Sequence, residues 1–304
     1  MDYYICRHFR KIMRFSATVK LQLIVFLWGF TGVIGKLINL NAVPLVWGRI
    51  LIAELFIFIY ICFYTKESLL ISKRLMLQLL GTGTIIGTHW ILFYGAIKIS
   101  NISIATATLS TGTLFAAFLE PIIFRRKLKI TEILLSIIII ICIGLIFKTE
   151  VKYWKGIIMG ITCAFLSALF SVINGYMSNK GASSVITFYE LLGGFVILNF
   201  FMFFEKNWMA IANIERIDIL WILVLGSLLT SFPMIATMNL MKYITPFTVM
   251  LSVNMEPIYS ILIAFIIWKD TEAMSSVFYI STTVMIIAIC INGYLKTKNK
   301  KLSI

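Results

Sequence analysis

The sequence predicts an all-α integral membrane protein of ten transmembrane helices, arranged as two inverted five-helix repeats. Three observations lead there. Of 304 residues, 60% are hydrophobic and 13% charged, more apolar than a water-soluble domain of this length needs to be. The apolar residues fall in continuous runs of about 20, the length that crosses a hydrocarbon core of about 30 Å. Residues 98–124 also align without a gap to residues 242–268, at a constant offset of 144 (242 − 98). In that register Lys98 meets Lys242, Thr108 meets Ser252, Ser110 meets Asn254, and Arg125 falls on Lys269.

The runs lie near 21–38, 43–64, 75–97, 102–124 and 130–147, then 156–178, 184–204, 219–241, 246–268 and 276–295. They divide the chain into a basic N-terminal segment (1–20), a first repeat (21–147), a second repeat (156–295) and a basic tail (296–304). An odd number of spans per repeat turns the second copy upside down. Inverted repeats are a design of secondary carriers, with the solute site at the repeat interface. Continuous runs exclude a β-barrel, whose strands alternate apolar and polar residues. The longest polar connection, 205–218, is too short to build a core of its own.

The net charge of +14 is not spread as a nucleic-acid surface would be. One side of the predicted topology holds Arg7, Arg10, Lys11 and Arg14, then Lys66, Lys73 and Arg74, then Arg125, Arg126 and Lys127, then Lys298, Lys300 and Lys301. The other side holds fewer, among them Lys36, Lys98, Lys148 and Lys155. The positive-inside rule places both termini in the cytoplasm, and the expected location is a bacterial inner membrane. Basic ends also attract anionic lipid heads, so membrane lipids are expected partners. The N-terminal stretch does not read as a signal peptide, since no small-residue cleavage signature follows and nine further runs do. The five cysteines contain no CxxC and read as small apolar side chains. No cofactor or metal is expected.

Taken in order, span 1 carries Trp28, Gly29, Gly32 and Gly35, small residues that permit tight packing or a bend, and ends at Lys36, placed to snorkel. Span 2 holds Arg49 and Glu54; Arg49 reads as a contact for an anionic solute or a facing dipole, or, as the favoured role, a structural contact to a neighbouring helix, and Glu54 should face protein. Span 3 holds His89, Trp90, Phe93 and Tyr94. His89 fits a solute contact or proton relay, or a neutral histidine bonded to a hydroxyl; beside it Trp90 and Tyr94 form a candidate cavity wall. Span 4 is rich in small and hydroxyl residues, of which Ser110 and Thr111 sit at the depth of Asn254 and Glu256. A rival register pairing Glu120-Pro121 with Glu256-Pro257 fails, because it puts Arg125 and Arg126 opposite Ile261 and Leu262 in mid-membrane. Spans 6 and 7 offer Asn174 and Glu190, and span 8 has Pro233, which should kink it. Span 9 carries Asn254, Glu256 and Pro257 at one depth. A carboxylate there is costly, about 2.5–3.5 kcal/mol on insertion scales. It reads as a solute or proton site, or as a protonated carboxyl holding two helices together.

Together these residues resemble the drug/metabolite transporter superfamily, in its ten-helix EamA-like branch. The resemblance rests on Trp28-Gly29 with Lys36, Arg49 followed by Ala53, the small-polar start of span 4, Glu256-Pro257, and the order of the spans. It implies that spans 1, 3, 4, 6, 8 and 9 surround a central cavity while 5 and 10 are peripheral. It implies export of an amino acid, another metabolite or a drug-like compound by alternating access, with proton coupling and a homodimer left open. The candidate solute or coupling residues are Glu256, Asn254, His89, Trp90, Ser110, Thr111, Trp28 and Tyr94. Gly112-Thr113 stands where many relatives have a proline, so the two halves are expected to bend differently. No enzyme is expected, since no nucleophile with a nearby base stands out and the acids are scattered over different spans. The rivals are a lipid-modifying membrane enzyme, a passive channel and a lipid flippase.

Overall fold

The computed structural model describes residues 17, 19–125, 127, 130–205 and 207–302, with the side chains of 132, 270 and 292–302 excepted. The basic segment 1–20 therefore lies outside the described residues, save Ala17, Val19 and Lys20. The described chain is helical. Eight helices are long and apolar enough to cross a membrane: α1 (Val19–Leu37), α2 (Ala42–Thr65), α3 (Lys73–Ile99), α4 (Ile102–Ile123), α6 (Val151–Met177), α7 (Ser183–Phe204), α8 (Arg216–Leu240) and α9 (Pro246–Lys269). Two further helices, α5 (Ile130–Thr149) and α10 (Ser276–Leu302), have shorter apolar stretches, 133–149 and 276–291.

The offset of 144 reappears in the backbone. α4 begins as α4a (Ile102–Leu109) and α9 as α9a (Pro246–Val253), helices of equal length at equivalent positions. Both start on a polar N-cap that satisfies an orphan amide: Asn101 accepts from Ile104 N–H at 2.9 Å, and Thr245 from Thr248 N–H at 3.3 Å. Both then break for two residues, at Ser110-Thr111 and Asn254-Met255, before α4b (Gly112–Ile123) and α9b (Glu256–Glu272) resume. Both also reach a left-handed residue, Arg125 (φ 50°) and Lys269 (φ 22°), at equivalent places.

The two breaks coincide in position, although only the second repeat carries a proline there. In α9 the cause is Pro257, which has no N–H to give the Val253 carbonyl. α4 has no proline at its break, where two threonine hydroxyls bond back to backbone carbonyls. Thr108 Oγ1 donates to the Ile104 carbonyl at 2.8 Å and Thr111 Oγ1 to the Thr108 carbonyl at 2.7 Å, competing with the regular ladder. The backbone tightens to i→i−3 bonds in both, Thr111 N–H to Thr108 O at 3.1 Å and Met255 N–H to Ser252 O at 3.0 Å.

α4a packs on α9b and α4b on α9a, so these equivalent helices run antiparallel to each other. α2 packs on α7, and α5 on α10. The tightest seam joins α3 to α7: a Cβ on Gly83 would run into the carbonyl of Glu190, and one on Gly193 into that of Leu80. Large side chains such as Ile50, Ile57, Ile86, Leu191, Leu198 and Leu225 fill the interior. Many equally large ones, including Phe56, Ile59, Ile140, Ile141, Phe203 and Ile266, face outward. That is a liability in water and the expected perimeter in lipid.

Candidate functional site

Between the two repeats lies a cavity in which about 100 Å³ is open to the centre of a water molecule, several times the roughly 10–15 Å³ one water needs on that measure. Each lining helix contributes one face. On α3 the lining residues are Ile86, His89, Trp90 and Phe93, and on α9 they are Val249, Val253 and Glu256 with Met250, the i, i+3/i+4, i+7 spacing of a single helical stripe. Most of the wall is apolar and deformable, with Met234, Met238, Met241, Met250, Phe93 and Phe170. The polar groups gather in two places.

The first is built around Arg49 of α2, which is 3% exposed. Its Nε donates to Thr230 Oγ1 at 2.7 Å and an Nη to Tyr94 Oη at 2.8 Å. Its guanidinium lies 4.1 Å over the Trp90 ring, a cation–π contact that steadies a buried charge without neutralising it. Among the described residues no carboxylate ion-pairs with it within 4 Å. Thr230 is aimed by a local π turn, Ser227–Ser231, in which its hydroxyl donates to the Leu225 carbonyl at 2.6 Å just ahead of Pro233. Tyr94 is seated against α1 because residue 35 is glycine. Glu256 lines the same end, buried, within electrostatic reach of Arg49 and without a hydrogen bond among the described residues. His89 Nδ1 faces the Cys163 carbonyl at 2.9 Å. The Cys163 thiol lies 3.1 Å from the same nitrogen; bonded to the carbonyl, Nδ1 carries the proton and leaves Nε2 as an acceptor, whereas accepting from the thiol puts the proton on Nε2.

The second polar group lies farther along the cavity. Glu190 of α7 is fully buried, and the Asn174 amide, turned to face acceptors, donates to its Oε1 at 2.6 Å and to the Phe170 carbonyl at 3.2 Å. Ser171 and Thr237 line the same end, with hydroxyls that have no partner among the described residues.

None of the lining residues lies in the last turns at the Lys36 face. There Lys36 Nζ meets Glu272 Oε1 at 2.7 Å, and the same carboxylate accepts from Ile102 N–H (3.1 Å), Ser103 N–H (3.0 Å) and Ser103 Oγ (2.8 Å). Glu272 so ties α1 and the start of α4a to the end of α9b, and its charge sits on the α4a N-terminus, where the helix dipole favours it. At the opposite face the lining reaches Asn174 and Met241, close to the ends of α6 and α8.

A family model described as the EamA-like transporter family matches residues 18–148 and again residues 154–294. The chain belongs to that family. Its two matches are the two repeats, and the cavity is the space between them. A solved structure described only as the crystal structure of a protein is similar over 93% of this chain and 98% of that one, with a TM-score of 0.67 at 13% identity, a likeness of fold alone. No curated protein matches the chain.

Of the eight residues singled out from sequence, the structure brings Glu256, His89, Trp90 and Trp28 to the cavity. Tyr94 stands one layer behind, holding Arg49. Asn254, Ser110 and Thr111 sit at the expected depth but do not line it. Asn254 Nδ2 donates to Thr113 Oγ1 at 2.5 Å and to the Met250 carbonyl at 2.7 Å, bonding α9 to α4 at their shared break. The reason is angular: two residues along a helix turn the side chain about 200°, so Asn254 and Glu256 face opposite ways. Arg49, expected as a structural contact, lines the cavity, as do Glu190 and Asn174. α2 and α7 therefore join α1, α3, α4, α6, α8 and α9 around it, while among the described residues none of α5 or α10 lines it. The signal for Arg49 and Glu190 was available: an ionisable residue inside a span is a functional candidate by default.

Proposed function

We propose that this protein is a secondary carrier that moves a small organic solute by alternating access, crossing the bilayer ten times as two inverted five-helix repeats. The observation that carries the reading is the cavity at the seam of the repeats, with Arg49 from the first and Glu256 from the second. The antiparallel packing of α4 on α9 supports inversion, since copies related by translation would meet parallel. Discontinuous helices at a midplane site are what such carriers use to present unpaired backbone groups and to hinge.

In this scheme both termini are cytoplasmic, in a bacterial inner membrane. The cavity then reaches toward the cytoplasmic side, and the Lys36–Glu272 contact closes the far side. Arg49 offers donors to an acceptor group on the solute. Glu256, His89, Trp90 and Trp28 contact the solute or carry a coupling proton, and the thioether and aromatic walls take its apolar part. Asn254, Ser110, Thr111 and Tyr94 position these groups, and net movement is outward.

The test is flux and counterflow in proteoliposomes. A carrier exchanges labelled solute faster when unlabelled solute waits on the trans side, and a channel shows no such stimulation. With an imposed pH gradient, Glu256→Gln should lose either flux or its pH response. Normal transport with an unchanged pH response in that variant would remove Glu256 from the mechanism.

A further inference from the structure

The ionisable groups of the cavity do not balance. Its lining holds one guanidinium, Arg49, and two carboxylates, Glu256 and Glu190. Arg49 lies near Glu256. Glu190 has no such counterpart: among the described residues no lysine, arginine or histidine pairs with it within 4 Å. Its one hydrogen-bond partner among the described residues is a neutral donor, the Asn174 amide. Asn174 bridges to it, and Ser171 Oγ and Thr237 Oγ1 are buried in the same wall with no partner among the described residues. Ser171 is 2% and Thr237 7% exposed. Buried hydroxyls left without partners mark a place where a polar occupant completes the network. An ionised carboxylate in such a place needs a cation with several donors.

We propose that the Glu190 end of the cavity is a cation subsite that takes a protonated primary amine, so that the transported solute carries an ammonium group. The proposal rests on reading this cavity as the transport site. A primary ammonium brings three N–H donors, one for the Glu190 carboxylate and two for the open hydroxyl oxygens of Ser171 and Thr237. The apolar stem of the solute then lies along Met238, Met241 and Phe170, which line the same stretch. Asn174 is the positioning residue, holding the carboxylate to α6. Arg49, at the other polar end, leaves that end for a neutral or anionic acceptor. The solute class is therefore an amine with an apolar body rather than a simple anion.

The test uses the purified full-length protein in detergent and needs no transport. Thermal unfolding is followed against n-butylammonium, its neutral isostere n-butanol, tetramethylammonium and sodium chloride at matched concentrations. The expected result is stabilisation by n-butylammonium with an apparent affinity roughly tenfold tighter than that of n-butanol, the scale of one charge-assisted hydrogen bond. Tetramethylammonium, which has no N–H, should stabilise less. Glu190→Gln should erase the difference between amine and alcohol. Equal stabilisation by both would overturn the proposal and leave Glu190 as a bridge between α6 and α7. A preference that survives Glu190→Gln would overturn it as well, and so would a Glu190-dependent shift of the same size from sodium, which would make the site one for an inorganic ion. Should Glu190→Gln fail to fold, Thr237→Val keeps the shape and removes one acceptor; an unchanged amine preference in that variant counts against the proposal equally. Failure here is distinct from failure of the carrier reading. Counterflow that persists in a protein with no amine preference sinks only this inference, and amine preference without counterflow sinks only the carrier.

Discussion

The contact at the Lys36 face should act as a latch on that side of the cavity, and Glu272→Ala is the sharpest way to test it. The substitution removes the acceptor of four donors at once: Lys36 Nζ, the Ile102 and Ser103 amides and Ser103 Oγ. Glu272 is fully buried while the Lys36 side chain is 23% exposed, so the ammonium recovers water and the amides do not. Breaking a buried pair typically costs about 3–5 kcal/mol, and the solvent reach of Lys36 favours the lower end. About 3 kcal/mol, at about 1.4 kcal/mol per decade, moves an equilibrium between closed and open forms by roughly a hundredfold. Glu272→Gln keeps one carbonyl acceptor and should move it about tenfold. The readout is labelling of Thr31→Cys, a cavity position, in a background free of native cysteines, by an impermeant thiol reagent applied to the Lys36 face. The rate should rise in the order parent, Glu272→Gln, Glu272→Ala. If thermal stability falls as expected while the labelling rate stays at the parent value, Glu272 is only a cap for α4a and the latch does not exist.

Other expectations follow from the same geometry. Arg49→Lys should keep the fold and lose most flux, because a compact ammonium cannot reach Thr230 and Tyr94 together while lying on Trp90; flux within error of the parent would refute the role given to Arg49. Asn254→Ala should cost about 1–2 kcal/mol of stability, one lost buried hydrogen-bond set, and leave KM unchanged because the side chain turns away from the cavity. A raised KM at normal Tm would show the opposite. Gly83→Ala should drive α3 off α7 at the Glu190 carbonyl and cost about 1–3 kcal/mol, seen as a fall in Tm.

The helices and the repeat were legible because both are written in one dimension. Apolar run length marks a span, and the offset that pairs Ser110 with Asn254 also pairs the caps, the breaks and the left-handed residues Arg125 and Lys269. The cavity was only half legible. Depth can be counted along a span, so Glu256 and His89 were found, but Asn254, Ser110 and Thr111 were chosen for depth alone. Asn254 turns into the packing of α4 on α9, Thr111 bonds back to its own helix, and helical azimuth decides that. Arg49 was weighed against a generic helix contact, and nothing local in sequence says that Trp90, Tyr94 and Thr230, from two other helices, converge on it. The glycine seam of α3 and α7 was invisible for the same reason: Gly83 and Gly193 matter through each other's neighbouring carbonyls.

The paired breaks in α4 and α9 share a position but not a chemistry, and that difference has a mechanical consequence. A bend made by proline is permanent, since no rearrangement restores the missing donor. A break without proline keeps every backbone N–H, so α4 can regain its helical bonds across Ser110-Thr111. The second repeat thus owns a welded elbow and the first a compliant one. In the proposed alternating-access cycle, strain should then fall on the α4 side, around Ser110 and Thr111, while Glu256 rides on a segment of constant shape.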